Sequence, residues 1–79
     1  MSDPSIAERV TAELAPYLGS FNARIAVKTF AQRVLQLAPE AVTSEHLPGL
    51  LDALRPTLYT LVGRDPTDAL LERIRREVH

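Results

Sequence analysis

The sequence predicts an all-α fold, an irregular four-helix bundle with proline-kinked helices. Three observations carry that expectation. Apolar residues recur at helical spacing in four successive windows. Proline and glycine fall where helices start, bend or stop. No window that alternates like a strand has a second strand to pair with. The 79 residues form a single helical domain over 1–79.

The first helix is expected from "DPSIAERVTAEL", with Asp3 as N-cap and Pro4 at the first helical position, where a missing N–H costs nothing. Ile6, Val10, Leu14 and Tyr17 recur on one face. Pro16 should kink or end the helix, and Gly19 supplies a left-handed stop. Ser20 is placed to cap a second helix over residues 21–38. Taken alone, "RIAVKT" reads as a strand, because Ile25, Val27 and Thr29 alternate. The longer window decides for a helix: Ala23, Val27, Phe30, Val34 and Leu37 keep its rhythm until Pro39 ends it.

Thr43 opens the third helix, with Glu45 and His46 in its first turn. Leu47, Leu50, Leu51, Leu54, Leu58, Leu61 and Val62 fall within an arc of about 120°, the cleanest stripe in the chain. Pro48 and Gly49 weaken the first turn, and Pro56 should bend the middle by removing one backbone bond. Gly63 ends the helix. "RDPTDALLERIRREV" then repeats the opening device, with Asp65 as cap, Pro66 at the first position and Asp68 near the positive helix end. Leu70, Leu71, Ile74 and Val78 form its inner face, and Glu72–Arg76 and Arg73–Glu77 are i, i+4 pairs outside. The expected core holds Val10, Leu14, Val27, Phe30, Val34, Leu51, Leu54, Leu58 and Ile74.

"AELAPYLG" echoes "DALRPTLYTLVG", and "DPS" echoes "DPT". A duplicated helix pair would give this pattern. Asp-Pro caps and Leu-x-Pro kinks also recur by chance in unrelated helical proteins, and chance recurrence is the preferred reading.

Composition narrows the function classes. The absence of cysteine removes disulfides, thiolate zinc sites and cysteine nucleophiles. Nine basic and ten acidic residues give a net charge of −1, which is not that of a globally basic nucleic-acid binder. No apolar run approaches the roughly 20 residues of a membrane span. "MSDPSIAERV" has an acid before its first base and no apolar stretch, so it does not read as a signal peptide. The expected location is cytoplasmic.

Gly19-Ser20 ahead of Lys28 invites a phosphate-loop reading, but G-x-x-x-x-G-K-[ST] is absent and no strand leads in. A C-terminal glycine followed by a serine cap accounts for the pair. Between Glu13 and Glu40 there is no acid, while Arg24, Lys28 and Arg33 are all present. Helix two therefore presents Asn22, Arg24, Lys28, Thr29, Gln32, Arg33 and Gln36 outward, a set of donors suited to phosphates, base edges or an acidic protein surface. The competing reading is a solvated face whose bases pair with acids on neighbouring helices.

His46 and His79 stand in no ligand pattern, so neither a metal nor a cofactor is expected. Asp52, Arg55 and Tyr59 read as a surface ion pair beside an amphipathic tyrosine. No nucleophile–histidine–acid set or paired-carboxylate cleft is evident, and the chain is expected not to be an enzyme.

Phe21 and Ile25 resist the simple bundle. On the helical wheel they fall roughly 160–220° from Phe30, among polar residues. They are expected either to centre an interface, rimmed by Arg24, Lys28 and Gln32, or to be clamped by helix one as core. In a symmetric dimer, acids such as Glu72 or Glu77 of the second copy would meet the basic rim.

"YLGSFNARIAVKTFAQRV" with the later "VTSEHLPGLLDAL" resembles a small helical domain found at the C-terminal ends of assorted bacterial signalling proteins, some of them protein kinases. The shared features are a Leu-Gly turn, a small residue, a base and an apolar helix, then a threonine-led, leucine-rich helix. The likeness runs over residues 14–74, with Ser20 and Phe21 where that group usually has proline and an aliphatic residue. It implies a regulatory or interaction role and carries over no catalytic residue. The expected function is thus a non-catalytic protein-interaction module of bacterial signalling or regulation. Its expected partners are a second copy, as a homodimer, or another protein, with no membrane. The alternative is a small DNA-binding regulator using helix two.

Overall fold

Four α-helices occur in the order the periodicity predicts: α1 (Ile6–Leu18), α2 (Ser20–Phe30), α3 (Leu47–Leu61) and α4 (Arg64–Glu77). The computed structural model describes residues 5–78; Asp3, Pro4 and His79 lie outside the described residues. No strand occurs among the described residues. The Cα radius of gyration is 11.4 Å, against about 12 Å for a folded chain of this length.

The helix ends correct several expectations. Ser5 caps α1: its extended backbone lets the hydroxyl accept the Glu8 N–H at 3.1 Å, so the cap does not depend on Asp3. Two others hold: α3 runs through Pro56 as one helix, and α1 ends two residues after Pro16. Pro16 and Ala12 are exposed, as are Pro56 and Asp52, so the carbonyls the prolines leave unpaired lie near water.

The junctions are made by glycine, not by Ser20 or by Asp65-Pro66. Gly19 (φ 88°, ψ 151°) and Gly63 (φ 103°, ψ 159°) precede α2 and α4 directly. Asp65 and Pro66 are already inside α4, where proline still costs no bond. Gly19 N–H still bonds Ala15 O at 2.8 Å and Gly63 N–H bonds Tyr59 O at 3.1 Å. One residue therefore closes one helix and opens the next.

Helix α2 stops well before Pro39. After Phe30 the chain widens into a π turn over Ala31–Leu35, and Gln36 at φ 56° closes it with its N–H on Ala31 O. A π turn holds more than the α-helix's 3.6 residues, so it rotates the residues beyond it about the helix axis. Val34, expected in the core, is consequently 47% exposed, and Leu35 packs on the core instead. Pro39 opens a 3₁₀ turn, Pro39–Ala41. Thr43 likewise starts a turn rather than α3. The Nδ1 of His46 accepts the Thr43 N–H at 3.1 Å, and α3 begins one residue later.

The core is aliphatic. Val10 and Leu14 of α1, Val27 of α2, Leu50, Leu51, Leu54 and Leu58 of α3, and Leu70, Leu71, Ile74 and Val78 at α4 are buried. Phe30 is half-buried against this cluster. Besides Val34, Tyr17 and Leu61 of the expected inner stripes lie outside it, at 44% and 63% exposure. Polar ties join the helices at the rim. Arg73 pairs with Glu13 across α4 and α1, and with Glu77 at 3.8 Å. Glu72 pairs with Arg75 at 3.5 Å instead of Arg76. Arg9 donates to the Glu77 carbonyl at 2.6 Å.

Thr67 is the one buried polar side chain among the described residues, and its Oγ1 has no hydrogen-bond partner there. A buried hydroxyl without a partner costs about 1–3 kcal/mol, whereas an apolar group of the same shape costs nothing comparable. Thr67→Val is expected to raise stability by about 1 kcal/mol in urea denaturation. A loss of stability would show that the hydroxyl is satisfied in solution.

Candidate functional site

Helix α2 has three kinds of surface. Ala23 and Val27, with Ala31 just beyond its end, are buried against the bundle. On one flank Arg24, Lys28 and Gln32 line a groove of about 790 Å³ together with Ser5, Glu8 and Thr11 of the α1 side and Glu40 of the 3₁₀ turn. On the other flank Asn22, Ile25, Ala26 and Thr29 line a second groove, of about 570 Å³, against α3. Phe21 stands between the two at 73% exposure.

Ile25 is 46% exposed. That removes the alternative in which helix one clamps Phe21 and Ile25 into the core. The apolar centre and the basic rim expected around it lie on the same helix but border different grooves. Arg24, Lys28 and Gln32 flank the apolar strip on one side only.

The groove against α3 is the more apolar of the two in composition. Tyr17 and Leu18 close its end, Ile25 and Phe30 form one wall, Leu61 and Thr57 the other, and Leu54 and Leu58 the floor. Its lining contains no charged residue. Sequence periodicity alone misplaces Tyr17 and Leu61, because each sits at the edge of a helical stripe. Tyr17 comes from the end of α1 and Ile25 from α2, on opposite sides of the non-helical Gly19, so their meeting in one groove is a tertiary fact that spacing does not announce.

The cations of α2 differ from most of those elsewhere in the chain. Arg55 contacts Asp52 at 3.7 Å and Asp68 at 3.3 Å, while Arg73 and Arg75 also pair with carboxylates. Hydrogen bonding to Tyr59, then the charges of Asp68 and Asp52, raises Arg55 above its ordinary pKa, and Glu13 does the same for Arg73. Arg64 lies 5.3 Å from the centre of the Tyr59 ring. Arg24, Lys28 and Arg33 form no ion pair with any described carboxylate.

Asp52, Arg55 and Tyr59 do share a face, and the structure adds Asp68, which accepts the Tyr59 hydroxyl at 2.6 Å. These groups satisfy one another and tie α3 to α4. No group of three or more His, Asp or Glu side chains among the described residues is arranged to hold a metal ion. None of the described helices is long and apolar enough to cross a membrane. Compared with models of known families, with curated proteins and with solved structures, the chain matches none.

Proposed function

We propose that the domain is a non-catalytic protein-interaction module of bacterial signalling or regulation, whose working surface is the groove lined by Tyr17, Ile25 and Leu61, with Phe21 exposed one turn before Ile25. The observation that carries this reading is that three exposed large apolar side chains, Tyr17, Ile25 and Leu61, line one groove, with exposed Phe21 one turn before Ile25 on α2. Scattered single apolar residues are ordinary on a protein surface, whereas several gathered around one apolar groove mark a contact site. The domain supplies the shape, and the partner completes the burial.

Site-specific photocrosslinking tests the reading without assuming the partner. A photoreactive phenylalanine analogue at Ile25 is expected to yield a discrete protein adduct in cells that make the protein. The same analogue at Arg75, on α4 and away from this groove, is expected to yield none. Absence of an adduct from position 25, or the same adducts from both positions, would refute the reading.

A further inference from the structure

We propose that the groove between α2 and α3 docks an acidic amphipathic helix of a different protein. This rests on the interaction role proposed for the same surface and names the partner's chemistry. The floor is leucine, the walls are mainly aliphatic and aromatic with Asn22, Thr29 and Thr57 among them, the lining is uncharged, and the groove lies along two helices. Such a groove takes the apolar side chains at i, i+3, i+4 and i+7 of an incoming helix.

Charge then selects the flanks of that helix. The stretch of chain that carries Tyr17, Phe21 and Ile25, between Glu13 and Glu40, contains no acid. Arg24 and Lys28 line the neighbouring groove, across the exposed Phe21 and Ile25 from this one, and neither pairs with a described carboxylate. Glu8 and Glu40 lie on the far bank of the other groove but do not close on them. On the α3 side the lining offers only Thr57 as a polar group. The bound helix therefore carries glutamate or aspartate along the edge that faces Arg24 and Lys28.

A second copy of the chain fits this surface poorly. In a two-fold contact the same patch meets itself. With the α2 helices antiparallel, the two Arg24–Lys28 flanks face each other, which is repulsive. With them parallel, that flank meets the Asn22–Thr29 flank of the other copy, which is neutral. Neither arrangement brings an acid. The carboxylates expected to serve, Glu72 and Glu77, are already paired with Arg75 and Arg73 within the chain.

The test uses a helical peptide of about 18 residues, with leucines at the four groove positions and glutamates on both flanks, and a twin with lysine replacing each glutamate. Fluorescence anisotropy is expected to show saturable binding of the glutamate peptide and at least about tenfold weaker binding of the lysine twin. Ile25→Glu is expected to abolish binding. The double variant Arg24→Glu, Lys28→Glu is expected to reverse the preference between the twins. The proposal is overturned if neither peptide saturates, if both bind equally, or if Ile25→Glu binds as well as the wild type. It is overturned too if the wild-type chain sediments as a dimer that Ile25→Glu dissociates. Salt-sensitive binding of a DNA duplex, lost in Arg24→Ala with Lys28→Ala, would also overturn it in favour of nucleic acid. A crosslinked adduct of two identical chains from position 25 would remove this partner assignment and leave the interaction reading standing, whereas no adduct would remove both.

Discussion

Leu50→Ala is expected to destabilise the domain by about 2–5 kcal/mol, enough to leave a large part of the population unfolded. Leu50 is fully buried and lies in the first turn of α3. Its neighbours Pro48 and Gly49 add nothing to that turn's intrinsic stability. The turn is therefore held by what Leu47, Leu50 and Leu51 bury. Truncation removes the transfer free energy of the side chain and leaves a cavity in a core that has no disulfide to reinforce it. A domain of 79 residues has only several kcal/mol to lose. Urea denaturation monitored by circular dichroism measures the change. Leu50 lines none of the surface grooves described above, so a loss below about 1 kcal/mol would mean that the core closes over the vacancy.

Gly19→Ala and Gly63→Ala are each expected to cost about 1–3 kcal/mol, although neither introduces a clash. A Cβ at Gly19 would meet nothing within 4 Å, and at Gly63 it would meet only the Pro66 Cδ at 3.8 Å. The cost comes from the backbone: φ 88° with ψ 151°, and φ 103° with ψ 159°, lie in a region open to glycine and strained for any L side chain. Each substitution must either strain the residue or move one helix relative to the next. Gly49 provides the control, because it lies inside α3, outside the positive-φ region, and with open space around a would-be Cβ. Gly49→Ala is expected to stabilise by about 0.4–1 kcal/mol. Equal effects of the same sign at all three positions would contradict the role assigned to the junctions.

The inner faces of α3 and α4 were legible in the sequence because nearly every stripe position is a leucine, isoleucine or valine at unbroken 3.6-residue spacing. Phe21 and Ile25 were legible as a second surface for the complementary reason, since they fall opposite an intact inner face. Val34 was not, because its position depends on the π turn at Ala31–Leu35, and no residue type there announces an extra residue in the turn. Tyr17 and Leu61 sit at stripe edges, where burial is decided by whether another helix crosses, a tertiary fact absent from periodicity. Asp65-Pro66 misled about the start of α4 because proline is tolerated throughout the first turn, so it marks a helix start only to within a residue or two. The separation of the basic residues from the apolar groove was hidden for a similar reason. A wheel places Lys28 close to Phe21, but only the packing of α1 and α3 on either side of α2 divides that surface into two grooves.

The urea stability of Ile25→Glu tests the exposed groove most directly. If the groove is a surface awaiting a partner, a charge there leaves the isolated domain's stability within about 0.5 kcal/mol of wild type and its far-ultraviolet dichroism unchanged. A loss of several kcal/mol, of the size expected for Leu50→Ala, would place Ile25 in the core and contradict the proposal that this face exists to bind another protein.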